Sequence, residues 1–290
     1  MHESKRPDWL KVKAPNQESL QKIRLVLDDL RLHTVCESAL CPNIGICLAD
    51  HTITFMILGD TCTRNCGFCA VKKGKPIPPE PEEPRHIAEA TKRLKLKHVV
   101  VTSVTRDDLE DLGAGQFART IQEIRALNST TTIEVLVPDF QGSRAAIETV
   151  VMTKPDIIGH NVEVVPRLYP MVRPEASYER SLNLLSSVKV MDPHIYTKSG
   201  LMLGLGENEN EVLGVMKDLR SVKCDVLTIG QYLQPSKEHL DVKEFVRPEK
   251  FEQYRQIGYN MGFVYVASAP LIRSSFNAAK FSQKLMRTGR

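Results

Sequence analysis

Asp60-Thr61-Cys62-Thr63-Arg64-Asn65-Cys66-Gly67-Phe68-Cys69-Ala70 directly follows the apolar run 53–58 and carries three cysteines at the spacing C-x3-C-x2-C. A loop this short can present three thiolates to three irons of a [4Fe-4S] cube and leave the fourth iron open. The open corner decides the chemistry. A cube held by four protein ligands mainly passes electrons, whereas an open iron can bind and activate a small molecule. The other reading of clustered cysteines is a structural zinc site, which requires four nitrogen or sulfur ligands in a closed tetrahedron. No Cys or His occurs in the sixteen residues after Cys69, the next being His86, so the spacing favours iron and sulfide.

Just upstream, Cys36, Cys41 and Cys47 form a second triple at C-x4-C-x5-C, so six of the seven cysteines fall within 34 residues. Pro42 and Gly45 supply the turns that converging ligands require. Two clusters are therefore implied. Three disulfides are the alternative, but the chain opens Met1-His2-Glu3-Ser4-Lys5-Arg6-Pro7 without an apolar leader. A cytoplasmic chain with reduced thiols is the expectation. Cys224, alone before an apolar run, reads as a buried core thiol, because free cysteine packs as a small hydrophobe.

Outward from the first loop, apolar and amphipathic stretches alternate. Runs 53–58, 99–103, 133–137, 157–160, 201–205 and 226–229 read as strands, and 85–96, 115–127, 144–152, 178–190 and 209–222 carry helix-period apolar faces. The rhythm predicts an α/β protein, a partial parallel (β/α)6 TIM-type barrel. A seventh strand over 263–267 and a full eight-stranded barrel are the alternatives. The expected division is an N-terminal extension 1–50 with three cysteines, a barrel 51–262 and a C-terminal extension 263–290. In parallel α/β barrels chemistry collects at the C-terminal strand ends. The first cysteine loop, Thr105-Arg106-Asp107-Asp108, Asn161 and Glu163, Gly204 to Glu207, and Gln231-Tyr232-Leu233 all follow predicted strands, and His160 stands at the end of the fourth. His160 reads equally as a structural hydrogen-bonding group or a catalytic one.

Phe68, one residue before the last cysteine, completes a pattern that resembles the radical S-adenosylmethionine (SAM) enzymes. The two triples in this order, with TSVTRDDL at 102–109, HNVE at 160–163, RLYPMVRPEASYERSL at 167–182, KSGLMLGLGE at 198–207, GQYLQP at 230–235 and RSSF at 273–276, resemble the lipoyl synthase family. The resemblance runs from about Cys36 to Phe276. It implies a SAM-binding [4Fe-4S] cluster on Cys62, Cys66 and Cys69. It also implies an auxiliary [4Fe-4S] cluster on Cys36, Cys41 and Cys47, capped by Ser275 with Ser274 as runner-up. This chain has Phe276 where the family usually has tyrosine. An alkoxide is a hard and releasable partner for iron. SAM contacts implied are Arg173, whose guanidinium suits a carboxylate, and Gly204, Gly206, Glu207 and Tyr232. The implied activity is insertion of two sulfur atoms, at C6 and C8, into an octanoyl chain on a lysine of a lipoyl carrier protein. Electrons from a flavodoxin or ferredoxin and an iron-sulfur carrier that rebuilds the consumed cluster are also implied. The rival readings are another radical SAM enzyme with an auxiliary cluster, and a two-cluster electron carrier.

Composition excludes several classes. Lys and Arg number 39 against 35 Asp and Glu, a net charge of +4, too little to expect nucleic acid; an acidic protein partner suits it better. No run of about eighteen apolar residues exists, so no membrane span is expected. PIPPEPEEP at 76–84 reads as an extended linker that is neither helix nor interior strand. A helix over 17–32 with Leu20, Ile23, Leu27 and Leu30 on one stripe is expected to pack on the barrel or cover its bottom.

Overall fold

Val, Ile, Thr and Phe dominate the strand-forming runs, and branched or aromatic side chains fit a pleated surface. The computed structural model describes residues 7–11, 17–38, 41, 43, 44, 47 and 52–275, with the side chains of 17–20 and 22 outside that description. In chain order the strands are β1 His33–Thr34, β2 Thr54–Ile57, β3 Thr61–Cys62, β4 Lys72–Lys73, β5 His98–Ser103, β6 Thr132–Leu136, β7 Ile157–Gly159, β8 Tyr196–Leu203, β9 Val226–Gln231 and β10 Tyr265–Ser268. Among the described residues one sheet runs β1-β2-β5-β6-β7-β8-β9-β10 and stays open between β1 and β10. From β2 to β10 every neighbour is parallel, while β1 pairs antiparallel with β2. Register is set by pairs such as Val99 opposite Ile133 and Leu201 opposite Ile229.

The expected partial barrel is thus present, extended by the seventh parallel strand β10, and the eight-stranded closed alternative is not formed. The sheet continues past the boundary predicted at 262. Strand β8 begins at Tyr196, five residues before the predicted start at 201. Lys198 concealed it. Its ammonium lies inside the barrel, 2.7 Å from a carboxylate oxygen of Glu134, whose other oxygen is 3.3 Å from His98 Nε2. A lysine in a strand is ordinarily read as facing water.

Helices flank the sheet over the spans Glu83–Arg93, Ala114–Leu127, Arg144–Val151, Tyr178–Met191, Glu209–Ser221 and Pro248–Asn260. The first of these corrects the reading of 76–84 as all linker, since Pro84 sits in the helix's first turn, where its missing N–H has no partner to lose. Glu209–Ser221 opens on a capping box between Asn208 and Glu211. The N-terminal helix Gln17–Asp29 buries Ile23 and Leu27, as predicted, and Arg93 pairs with Asp29 on its far end. It therefore packs on the outer helix layer. Pro42, Gly45 and Phe276, each invoked above, lie outside the described residues, as does the side chain of Leu20. Among the described residues no helix is long and apolar enough to cross a membrane.

Candidate active site

The first cysteine loop leaves β2 through Leu58 and Gly59, both at positive φ, +68° and +88°. The rest of the loop is tied to the segment after β5, to Val172 and to the 239–240 loop. The Thr63 backbone N–H donates to Thr105 O at 3.1 Å, and the Asp107 N–H donates to Thr63 Oγ1 at 3.2 Å. Two backbone N–H groups, Thr105 at 3.3 Å and Arg64 at 3.5 Å, aim at the sulfur of Cys62. The Gly67 N–H donates to Val172 O at 2.8 Å, and Gly67 O accepts from the Leu240 N–H at 3.1 Å. His239 Nε2 meets Cys69 O at 3.1 Å, and a carbonyl can only accept, so that nitrogen carries the proton. Arg64 is buried between Asp107 and Asp139, at 2.6 Å from each. Asp139 also accepts from Arg180 at 3.0 Å.

One cavity of about 490 Å³ opens at the C-terminal strand ends, and its wall includes all six clustered cysteines together with Asn161, Glu163, Arg173, Tyr232, Ser274 and Ser275. All seven cysteines are free thiols. Burial pushes the Cys66 thiol up to about 12 and Cys36 up to about 11, and raises Cys69 as well. Bare, these sulfurs hold their protons; a metal group would have to displace them on binding. Among the described residues no three His, Cys, Asp or Glu side chains close on a single ion, so the fit rests on the cavity itself. Six thiols on one wall, with N–H groups directed at a sulfur, match the donor set and outer-shell hydrogen bonding of iron-sulfur clusters.

The second triple is organised by backbone bonds, Cys41 N–H to Cys36 O at 3.0 Å, Cys47 N–H to Asn43 O at 3.0 Å and Thr52 N–H to Cys47 O at 2.8 Å. The chain's last described segment lies beside it. Gln231 N–H donates to Pro270 O at 3.1 Å, and Asn43 Nδ2 donates to Leu271 O at 2.5 Å. The Ser274 hydroxyl accepts from Asn161 Nδ2 at 2.5 Å. Ser275, one residue on, shares the same wall.

The other predicted residues divide. Arg173 is buried, donates through Nη1 to Asn161 O at 2.8 Å, and leaves Nε without a partner. Its charge is felt by Cys66. Glu163 sits at φ +64°, an unusual conformation for a residue with a side chain, and its carboxyl is raised by burial against the pull of Arg173. Gly204, Gly206 and Glu207 lie outside the cavity wall. A Cβ on Gly204, at φ +100°, would stand 2.2 Å from Gln231 Nε2, and the Glu207 carboxylate accepts from the Gly204 and Leu205 N–H groups. His160 is structural: burial and the Arg173 charge push it down to about 4, Nδ1 donates to Val137 O at 2.9 Å, and neutral Nε2 accepts from Ser181 at 2.9 Å. Cys224 is fully buried, as expected.

Sequence reasoning missed Asp139, Asn43 and Gly230. Asp139 in Val-Pro-Asp-Phe reads as a turn residue, and only the fold brings it to Arg64. Gly230 has no local signal at all; its missing Cβ makes room for Ile272 O, which would lie 2.0 Å away.

A model of the radical SAM superfamily matches residues 56–219, and one of the N-terminal domain of lipoyl synthase matches residues 1–41. Lipoyl synthase of Caldanaerobacter subterraneus subsp. tengcongensis is 60% identical over 274 residues, 94% of this chain and 96% of its own. That of Caldicellulosiruptor saccharolyticus is 56% identical over 278 residues, covering 96% and 98%. Among solved structures, methylornithine synthase (PylB) superposes with a TM-score of 0.57 at 12% identity, covering 95% of this chain and 90% of that one. Streptococcus suis SuiB bound to S-adenosylmethionine gives 0.60 at 10%, covering 89% and 57%. At such identities the structural likeness speaks for the fold, and the curated relatives, at more than half identity over nearly the whole chain, speak for the family: this chain belongs to the lipoyl synthase family of the radical SAM superfamily.

Proposed function

We propose that this chain inserts sulfur at C6 and C8 of an octanoyl chain borne on a lysine of a lipoyl carrier protein. Cys62, Cys66 and Cys69 hold the SAM-binding [4Fe-4S] cluster, and Cys36, Cys41 and Cys47 hold the auxiliary one with Ser275 as the fourth ligand. The bound clusters supply reductive cleavage of SAM at one and sulfide at the other. The observation that carries this reading is the single cavity whose wall bears both triples and both serines.

The chain's own residues bind, orient and exclude water. Arg173 lines the cavity with a buried guanidinium, the group whose fork suits the SAM carboxylate. Tyr232 walls the same space and is fixed by its hydroxyl donating to Leu240 O at 2.7 Å. Gly204, Gly206 and Glu207 supply further SAM contacts from the turn that abuts the cavity-lining Gln231 at Gly204. Met56, Phe68, Leu136 and Met202 give the cavity apolar walls, so an aliphatic substrate can be held close to a reacting carbon with water kept out. Ser274, engaged by Asn161, leaves Ser275 as the better placed alkoxide. A flavodoxin or ferredoxin as reductant, an iron-sulfur carrier for rebuilding, and a reducing cytoplasmic setting complete the reading.

Iron and sulfide content of the purified chain, with mass analysis of an octanoyl-lysine peptide after incubation with SAM and reductant, tests it. Two clusters' worth of iron and a peptide carrying two added sulfurs are expected. SAM cleavage without any sulfur on the peptide would assign the chain a different substrate.

A further inference from the structure

The segment that carries Ser274 and Ser275 is gripped from three sides, and one grip comes from the auxiliary loop itself. Asn43 lies between Cys41 and Cys47, is fully buried, and donates from Nδ2 to Leu271 O at 2.5 Å. Its backbone carbonyl accepts from the Cys47 N–H at 3.0 Å, so the same residue shapes the cysteine turn. Opposite, Ile272 O nestles over Gly230, where any Cβ would stand 2.0 Å away, and Gln231 N–H donates to Pro270 O. Farther along, Asn161 Nδ2 holds Ser274 Oγ at 2.5 Å. The backbone at 270–272 is thus fixed on both edges immediately before the serines.

We infer that Asn43 is a positioning residue: through Leu271 it holds the serine-bearing segment against the cysteine triple and so sets which hydroxyl faces the auxiliary cluster. This rests on the reading above that a serine caps that cluster. The physical argument is one of reach. A serine hydroxyl is a short side chain, so an iron ligand at 275 requires its backbone to be placed within a fraction of an ångström. A carbonyl held by a buried donor supplies that placement, and an unmade donor in that position would be costly. The arrangement also lets the serine leave. The grips are on 270–272 and on Ser274, so Ser275 can release its oxygen without the segment detaching.

Asn43→Asp keeps the shape of the side chain and removes the donor; Gly230→Ala pushes on Ile272 from the other side. The full-length, cluster-loaded protein is treated briefly with trypsin, and the fragment ending at Arg273 is followed by mass. Cleavage there is expected to be roughly ten-fold faster in Asn43→Asp, the scale of one buried hydrogen bond, and faster also in Gly230→Ala. In a background with Cys62, Cys66 and Cys69 replaced by alanine, only the auxiliary cluster remains. Its Mössbauer or electron paramagnetic resonance signature in Asn43→Asp should move toward that of Ser275→Ala. A wild-type cleavage rate with an unmoved signature in both Asn43→Asp and Gly230→Ala overturns the inference. Faster cleavage combined with a signature that neither Ser274→Ala nor Ser275→Ala alters leaves the hold on the segment standing and overturns the serine ligand instead.

Discussion

Nη2 of Arg64 donates to Oδ1 of Asp139 at 2.6 Å, joining the middle of the first cysteine loop to the loop after β6, and both side chains are nearly or wholly removed from water. Because Asp107 takes the other edge of the same guanidinium, the loop's position is fixed by charges from two strand ends. Asp139 is a hub, since Arg180 and the Gln141 N–H also reach it.

Removing that hub should be costly. Asp139→Ala strands a buried guanidinium with one partner, an effect of about 3 kcal/mol, and should lower both the urea midpoint and the iron retained per chain. An unchanged midpoint would show that Asp107 alone suffices. Burial would raise this carboxyl, yet the Arg64 hydrogen bond and charge outweigh it and hold it at about 2 against an ordinary 3.8. Stability from this group is therefore complete above pH 3.8 and is lost as pH falls toward 2, by about 2 kcal/mol. The variant's acid unfolding should lack that step.

His160 gives a second pH dependence at a higher range. Its folded value, about 4, lies below the ordinary 6.5, so the unfolded chain takes up the proton first as pH drops. Stability from a neutral His160 is whole above pH 6.5 and declines on the way to pH 4, by about 3 kcal/mol at most. Urea midpoints taken at pH 7 and pH 4.5 should differ less in His160→Gln than in the parent. Equal differences would mean that other groups carry the slope.

Lys198 and Glu134 form a buried pair within the barrel, and each should be intolerable without the other. Either Lys198→Met or Glu134→Leu alone is expected to cost about 3–5 kcal/mol, whereas the double variant should recover most of that loss. Thermal unfolding of the four proteins closes the cycle, and strictly additive losses would deny the coupling.

The two cysteine triples should separate by product. Alanine at Cys62, Cys66 or Cys69 should abolish 5′-deoxyadenosine formation, while alanine at Cys36, Cys41 or Cys47 should leave some of it and yield no sulfurated peptide. Chromatography of both products from each variant checks the division. Thiolated peptide from a second-triple variant would place the sulfur source elsewhere.

Cysteine spacing and apolar periodicity carried most of what was legible in the sequence. Those signals are local, and they located both triples, the partial barrel and the strand ends around the cavity. What escaped was set by distant pairings. Nothing near Lys198 marks it as a strand residue, because its counter-charge, Glu134, is 64 residues away in the chain. Asp139 and Asn43 carry no local signal of their roles, because their partners lie 75 and 228 residues off. Pro84 looked like a helix breaker where it is a helix starter, a matter of one turn's register. The close approach of Gln231 to Gly204 was likewise invisible, since the two lie on different strand ends.

The 228-residue separation between Asn43 and Leu271 also orders events during synthesis. Both sets of cysteines leave the ribosome before most of the barrel strands, and Leu271 follows Asn43 only after 228 residues. The first cysteine loop can therefore meet the ends of β2 and β5 while the second triple still lacks the 270–275 segment beside it. Until 272–275 has been made, the wall that carries Cys36, Cys41 and Cys47 is incomplete, so this side of the cavity closes late in synthesis.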